Sequence, residues 1–110
     1  MLANINRLRK SQDIQRVYRN GRNIGGQNFS LRFLPNRQSC NRFAIVIGTK
    51  VEKRATRRNA HRRQIREIIR QNSPTMKSPF DIIITAHKFG NWPIEREIIF
   101  QEIEKLFSQI

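Results

Sequence analysis

The sequence predicts a single α+β domain over residues 1–110, in which a small sheet is covered by helices as a two-layer α/β sandwich. Two observations predict it. Apolar residues alternate with a period of two in three segments and recur at helical spacing in three others, in the order helix, strands, basic helix, strand, helix. The hydrophobic share of 37% is ordinary for a globular chain of this length, which is long enough for one core.

The first element is a short amphipathic helix. Ile14, Val17 and Tyr18 follow the i, i+3, i+4 spacing of one helix face. Ser11 is the expected N-cap, because its hydroxyl can accept a backbone N–H of the first turn. Gly21 is expected to end the helix just after Asn20.

Three strands are predicted, over residues 28–34, 43–48 and 80–86. The first alternates strictly, which predicts one buried and one more polar face. Its apolar face carries Phe29, Leu31 and Phe33, and its opposite face carries Asn28, Ser30 and Arg32. The other two strands are largely apolar, and the third contains a β-branched run at 82–85.

The segment Lys50–Arg70 between the second and third strands is strongly basic. Nine of its residues are Lys or Arg and two are Glu, a net charge of +7 against +14 for the whole chain. A helix is predicted from about residue 54 to 71, stopped by the Asn-Ser-Pro sequence at 72–74. One helix face carries Asn59, Arg62, Arg63, Arg66 and Arg70. The opposite face carries Ile65, Ile68 and Ile69.

A last helix is predicted after the turn at 90–93, with Pro93 in its first turn and Trp92 packed against the core. Its apolar stripe is expected to contain Ile94, Ile98, Ile99, Ile103, Leu106, Phe107 and Ile110. Its polar face is expected to contain Glu95, Arg96, Glu97, Glu102, Glu104 and Lys105.

Composition indicates the class of partner. A pI near 11.7 points to nucleic acid or an anionic membrane surface. The chain has no apolar run of about 18 residues, no apolar signal core at its start and a single cysteine, Cys40, so a cytoplasmic protein is expected. His61, His87 and Cys40 form no zinc pattern, and Asp13 and Asp81 are interpreted as a helix-start and a strand-edge residue. No catalytic or metal-binding residue is predicted.

Three other readings of the basic helix compete with RNA binding. A merely solvated face would normally mix both signs of charge. A DNA-recognition helix usually comes with a helix-turn-helix partner, whereas the neighbouring elements here are strands. A membrane-surface helix needs a larger apolar stripe than three isoleucines.

The motif Arg58-Asn59, Arg62-Arg63, Arg66-Glu67, preceded by Gly48-Thr49-Lys50 and Arg54-Ala55, resembles the protein subunit of bacterial ribonuclease P. The resemblance extends to residues 13–22, 29–35 and 80–86, so it covers most of the chain. It implies a ribosomal-protein-like fold and a protein that assembles with a catalytic RNA to trim the 5′ leader from precursor tRNA. The RNA would perform hydrolysis with Mg²⁺ ions that it holds itself, and the protein alone would bind no cofactor. No protein partner is evident from the sequence.

By this resemblance, the residues expected to face RNA are Lys50, Lys53, Arg54, Arg57, Arg58, Asn59, Arg62, Arg63, Arg66 and Arg70. The leader is expected to lie between the first helix and the open face of the sheet, in a groove lined by Ile14, Tyr18, Ser30 and Arg32. For Ile14 and Tyr18, an ordinary place in the core is an equally open interpretation.

Two residues depart from the family pattern. Ala60 stands where a third basic residue is common, which removes one expected phosphate contact. Ile14 stands where an aromatic residue is common, which weakens base stacking at that point. A ribosomal protein or another structured-RNA-binding protein without a processing role is the alternative function, and a DNA-binding regulator is a third.

Overall fold

The computed structural model describes residues 7–37, 40–72, 79–87 and 96–110. Its elements are α1 (Ser11–Asn20), β1 (Arg22–Gly25), β2 (Phe29–Pro35), β3 (Arg42–Ile47), α2 (Ala55–Asn72), β4 (Phe80–Ala86) and α3 (Arg96–Phe107). The predicted α+β class and element order are confirmed. The predicted packing of Trp92, the turn at 90–93 and the stop at 73–74 lie outside the described residues.

The four strands form one mixed sheet in the order β1-β2-β4-β3. β2 pairs antiparallel with both β1 and β4, whereas β3 and β4 are parallel. The basic helix α2 is therefore the crossover of a strand-helix-strand unit, as predicted. β1 was not predicted, because its four residues contain one apolar side chain, Ile24, and it is defined by backbone pairing with β2.

The two faces of the sheet are covered differently. The face bearing Phe29, Leu31 and Phe33 packs against α2 and α3 and forms the main core. The isoleucines on the back of α2, Ile65, Ile68 and Ile69, are fully buried in this core. Each such burial stabilises the fold by roughly 1.5–3 kcal/mol, so α2 is anchored without any of its arginines.

The helix α1 covers only part of the other face. Its Val17 is fully buried in a small cluster with Leu8 and Ile83, and Ile14 packs against that cluster. Gly21 allows the close approach of α1 to β2, since a Cβ there would lie 2.5 Å from the Val17 carbonyl oxygen and 2.9 Å from that of Phe33. The rest of this sheet face stays open beside α1.

Three predictions about the helices are wrong. Lys10, not Ser11, occupies the N-cap position of α1, and no side chain there binds the first turn. Ile98 is 51% exposed, because Ile99 and Ile103 take the centre of the buried α3 face. Glu102 is not solvated with the polar face: its carboxylate accepts the backbone N–H groups of Asn28 (2.7 Å) and Phe29 (3.1 Å) and so holds the start of β2.

Candidate nucleic-acid interface

The predicted basic face of α2 is present as one continuous surface opposite the buried isoleucines. The described residues of the first turn of α2 include no acidic side chain. The amide oxygen of Asn59 accepts a hydrogen bond from Nη1 of Arg62 at 3.0 Å, which fixes that guanidinium one turn along the helix. A shallow depression of about 350 Å³ is lined by Thr56, Asn59, Arg62, Arg63 and Arg66. Its size and its lining of guanidinium groups suit a phosphate group.

Among the described residues, no acidic side chain lines this depression. Burial lowers the pKa of Arg66, and the positive charges of Arg7, Arg62 and Arg9 lower it further. A guanidinium stays charged at neutral pH in spite of such a shift. Burial is the main cause of the lowered pKa, and the three arginines add a smaller effect because their positive charges lie near Arg66.

Arg58 is committed in part to the protein itself. Its Nη1 donates to the backbone carbonyl oxygens of Glu52 (3.0 Å) and Lys53 (2.9 Å). Val51 N–H in turn donates to the carbonyl oxygen of Gly48 at 3.1 Å, so the loop before α2 is a hydrogen-bonded turn. A guanidinium has five donors, so Arg58 can hold this loop and bind a phosphate as well.

The remaining predicted RNA-facing residues divide between the two ends of α2. Lys50, Lys53 and Arg54 are exposed in the loop that leads into the helix, and Arg57 is half-buried in its first turn. At the other end, Arg70 is exposed and its Nε donates to Glu67 at 3.2 Å, which raises the pKa of Arg70. The charge of Arg70 is thus paired on the same helix.

His61 lies on the buried side of α2, one turn before Ile65, and is 1% exposed. Burial lowers the pKa of His61; a hydrogen bond with Gln64 and the charge of Glu52 act in the opposite direction. The imidazole is consequently neutral near pH 7 and belongs to the helix packing, not to the basic face.

The predicted groove residues lie together on the open side of the sheet. Tyr18 is 44% exposed, so it is not an ordinary core residue, whereas Ile14 is half-buried against the cluster under α1. The guanidinium carbon of Arg32 lies 6.0 Å from the centre of the Tyr18 ring, at the outer limit of a cation–π contact. Ser30 lies two residues along β2 on the same face as Arg32.

The structure adds three residues to this open face that the sequence analysis missed. In the sheet register Ser30 pairs with Thr85, and Thr85 pairs with Val46, so the three side chains form one row across the sheet. Val46 is 38% exposed in spite of its apolar side chain. His87 Nε2 lies 2.7 Å from Ser30 Oγ at the end of this row. Period-two alternation along β3 and β4 could have found Val46 and Thr85, whereas the approach of His87 depends on the fold.

A buried charged network ties α1 to the sheet. Asp81 is fully buried on the inner strand β4, so its interpretation as a strand-edge residue is wrong. Arg42 on β3 donates to both of its carboxylate oxygens, at 2.8 and 2.6 Å, and Asn36 donates to one of them at 2.8 Å. From α1, Arg16 lies 3.5 Å from Asp81, and Asp13, in the first turn as predicted, lies 3.3 Å from Arg42.

The described residues contain no group of three or more His, Cys, Asp or Glu side chains that could hold a metal ion. In the same part of the chain, no helix is long and apolar enough to cross a membrane.

Comparison with known proteins agrees with the motif. The family model described as Ribonuclease P matches residues 2–110. The ribonuclease P protein component of Synechocystis is 39% identical over 104 residues, which cover 94% of this chain and 83% of that protein. The corresponding protein of Pseudanabaena is 35% identical over 99 residues, covering 89% and 85%.

The same relationship holds for the fold. The solved structure of the RNase P protein from Thermotoga maritima superposes with a TM-score of 0.84 at 28% identity, covering 94% of this chain and 96% of that one. The family match spans nearly the whole sequence, including the basic helix, the first helix and all the strands. The chain therefore belongs to the ribonuclease P protein family.

Proposed function

We propose that this chain binds the catalytic RNA of ribonuclease P through the basic face of α2 and holds the 5′ leader of precursor tRNA in the groove beside α1. The observation that carries the proposal is the division of α2 into two faces. Three fully buried isoleucines secure its back, and its front presents Arg62, Arg63 and Arg66 around a depression with no acidic lining. Such a face is suited to an RNA phosphate backbone.

In this proposal the protein contributes binding and the RNA contributes catalysis. Mg²⁺ would be held by the RNA, where it would activate the attacking water and stabilise the leaving oxygen. The protein neutralises phosphates near the reaction centre and positions the leader, which lowers the concentration of Mg²⁺ that the RNA needs.

The two binding surfaces approach each other at one end of the sheet. Ile47, the last residue of β3, is in register with Ala86, the residue before His87. The loop with Lys50, Lys53 and Arg54 therefore leaves the sheet at the end where His87 and Ser30 meet. A single-stranded leader lying in the groove would reach these cations as it leaves the sheet face.

Reconstitution tests this function directly. The purified chain is added to a bacterial ribonuclease P RNA, and release of the leader from precursor tRNA is followed at low Mg²⁺ and physiological salt. We expect cleavage that depends on the added chain. A chain without this function, such as a ribosomal protein, would leave the RNA as slow as it is alone.

The salt dependence of RNA binding adds a second measure. If about four to six cations of the α2 face contact phosphates, the slope of log affinity against log salt should be about −3 to −5, at about 0.7–0.9 per contact. A slope near zero would contradict an electrostatic interface.

A further inference from the structure

The chain segment before α1 runs along the outer edge of the sheet. Arg7 forms a parallel bridge with Phe43, and the N–H of Leu8 donates to the carbonyl oxygen of Phe43 at 2.8 Å. β3 is the last strand of the sheet on this side, so the segment extends the sheet by one short bridge. Leu8 is 4% exposed and packs with Val17 and Ile83, which fixes the position of the segment.

Arg7 and Arg9 flank Leu8 and lie on the opposite side of the sheet from it. Leu8 lies on the α1 face of the sheet, whereas Arg7 shares the face of its partner Phe43, which belongs to the core under α2 and α3. Because side chains alternate in an extended chain, Arg9 returns to the side of Arg7. Both arginines therefore lie on the side of the sheet that carries α2.

The charges of the segment act on the basic face of α2. Arg7 and Arg9 both contribute to lowering the pKa of Arg66, in addition to burial and Arg62. The described residues give Arg7 no ion pair, and its Nε is buried without a hydrogen-bond acceptor among them. The side chain is held by packing while its positive charge remains unbalanced within the described part of the protein.

We propose that Arg7 and Arg9 form, with Arg62 and Arg66, one phosphate-binding surface that extends the α2 interface across the edge of the sheet. The ligand is the phosphodiester backbone of a structured RNA, and the inference rests on the proposed function of α2. Arginine suits this role because its planar fork pairs with two phosphate oxygens. The buried Leu8 fixes the segment against β3, the strand that α2 also contacts. Both parts can therefore contact one RNA strand.

The test measures binding of the full chain to a bacterial ribonuclease P RNA transcript by filter binding at several KCl concentrations. The variants are R7Q, R9Q and R62Q, with R22Q as the matched control. Arg22 has the same charge and is exposed on β1, the edge strand farthest from β3. Arg9 is also exposed, so R9Q keeps the test valid even if R7Q disturbs the packing of the segment.

We expect R7Q and R9Q each to weaken binding about three- to tenfold at physiological salt and to make the salt slope shallower by about 0.7–0.9, with R22Q unchanged. R9K, which keeps the charge, should retain the slope. If Arg9 and Arg66 share a phosphate, adding R9Q to R66Q should weaken RNA binding by a smaller factor than R9Q does in the native chain.

The failures can be told apart. If R62Q weakens binding and both R7Q and R9Q bind like the native chain, the extended surface does not exist and the proposed function stands. If R62Q also binds like the native chain, the α2 interface itself is wrong. Equal weakening in R22Q and R9Q would show a non-specific effect of net charge and would overturn the extended surface.

Discussion

Arg42 and Arg66 carry the same charge in opposite surroundings. The guanidinium of Arg42 is enclosed by Asp81 and Asp13, and the hydrogen bond to Asp81 is the main cause that raises the pKa of Arg42. The pKa of Arg66 is lowered by burial and by three neighbouring arginines. The charge of Arg42 is neutralised inside the fold, where it stabilises the protein. Arg66, in contrast, is one of the cations that we propose bind an RNA phosphate.

Arg32 is an intermediate case. Its guanidinium carbon lies 6.0 Å from the centre of the Tyr18 ring, so its described neighbour is an aromatic face. The three arginines differ in the group beside each guanidinium, and this difference distinguishes cations that stabilise the fold from cations that can bind RNA. A cation with a buried acid should matter for folding, and a cation without one should matter for RNA.

The largest expected effect comes from breaking the internal pair. Asp81→Asn keeps the shape of the side chain and removes the charge that balances Arg42, so we expect the free energy of unfolding to fall by about 3–5 kcal/mol. Urea denaturation followed by circular dichroism measures this. Asp13→Asn is the control, because Asp13 is partly exposed and lies 3.3 Å from Arg42, and it should cost much less.

Equal losses from Asp81→Asn and Asp13→Asn would mean that the buried carboxylate has no special role. The location of the network also matters for the groove. Arg16 and Asp13 connect α1 to the Asp81–Arg42 pair. In Asp81→Asn protein that still folds, α1 and its Tyr18 should therefore be held less firmly against the sheet.

The groove provides the second prediction. A stacking contact with a base contributes roughly 1–3 kcal/mol, so Tyr18→Ala should weaken binding of leader-bearing precursor tRNA to the holoenzyme about tenfold or more. Mature tRNA, which has no leader, should bind the variant and native holoenzymes alike. Tyr18→Phe is the matched control, because it keeps the ring and should keep the affinity.

Equal weakening for both tRNAs, or weaker assembly with the catalytic RNA, would remove Tyr18 from the groove. Arg32 should act with Tyr18, since the two side chains are in contact. Arg32→Gln is expected to reduce the same preference for leader-bearing substrate by a smaller factor.

The α2 face gives a third, smaller effect. Arg62→Ala and Arg66→Ala should each weaken binding to the catalytic RNA by about 1 kcal/mol, as for a charge-assisted hydrogen bond in partial contact with solvent. Stability should not fall as it does in Asp81→Asn, because these side chains lie opposite the buried isoleucines. Arg22→Ala is the control, since Arg22 is exposed on β1, at the opposite edge of the sheet from β3.

Circular dichroism and filter binding on the same samples decide this prediction. Unchanged affinity in both variants with an unchanged fold would place the RNA on another face. A loss of stability in Arg66→Ala comparable to that of Asp81→Asn would erase the distinction between the two kinds of arginine.

The sequence predicted burial correctly where apolar residues recur at the spacing of a strand or a helix. The alternation of Phe29, Leu31 and Phe33 predicted the buried face of β2, and the helical spacing of Ile65, Ile68 and Ile69 predicted the back of α2. These patterns are local because the neighbouring residues themselves specify which side is apolar.

The sequence did not predict contacts between residues that are far apart in the chain. Asp81 lies fully buried because Arg42, 39 positions away, supplies its counter-charge, and no local pattern indicates this pair. Glu102 binds the turn before β2 across 74 positions. β1 is stabilised by backbone pairing, which is nearly independent of side chains. The predicted RNA-contacting residues remain predictions until binding is measured.

The smallest effect concerns His61, which is buried on the inner side of α2. Because burial lowers the pKa of His61 in the folded chain, the unfolded chain takes up a proton at higher pH than the folded chain does. Stability is therefore fully present above the ordinary histidine pKa of about 6.5 and is lost as the pH falls through the lowered pKa, by at most about 1.4 kcal/mol per pH unit. Urea denaturation between pH 5 and 7.5 should show this decline.

His61→Gln should flatten that decline, while His87→Gln should preserve it, because His87 is exposed on the open sheet face. The nearby charges of Glu52 and Arg57 act on His61 in opposite directions, so burial remains the main cause. An equally steep decline in His61→Gln would show that His61 is not the source of the pH dependence.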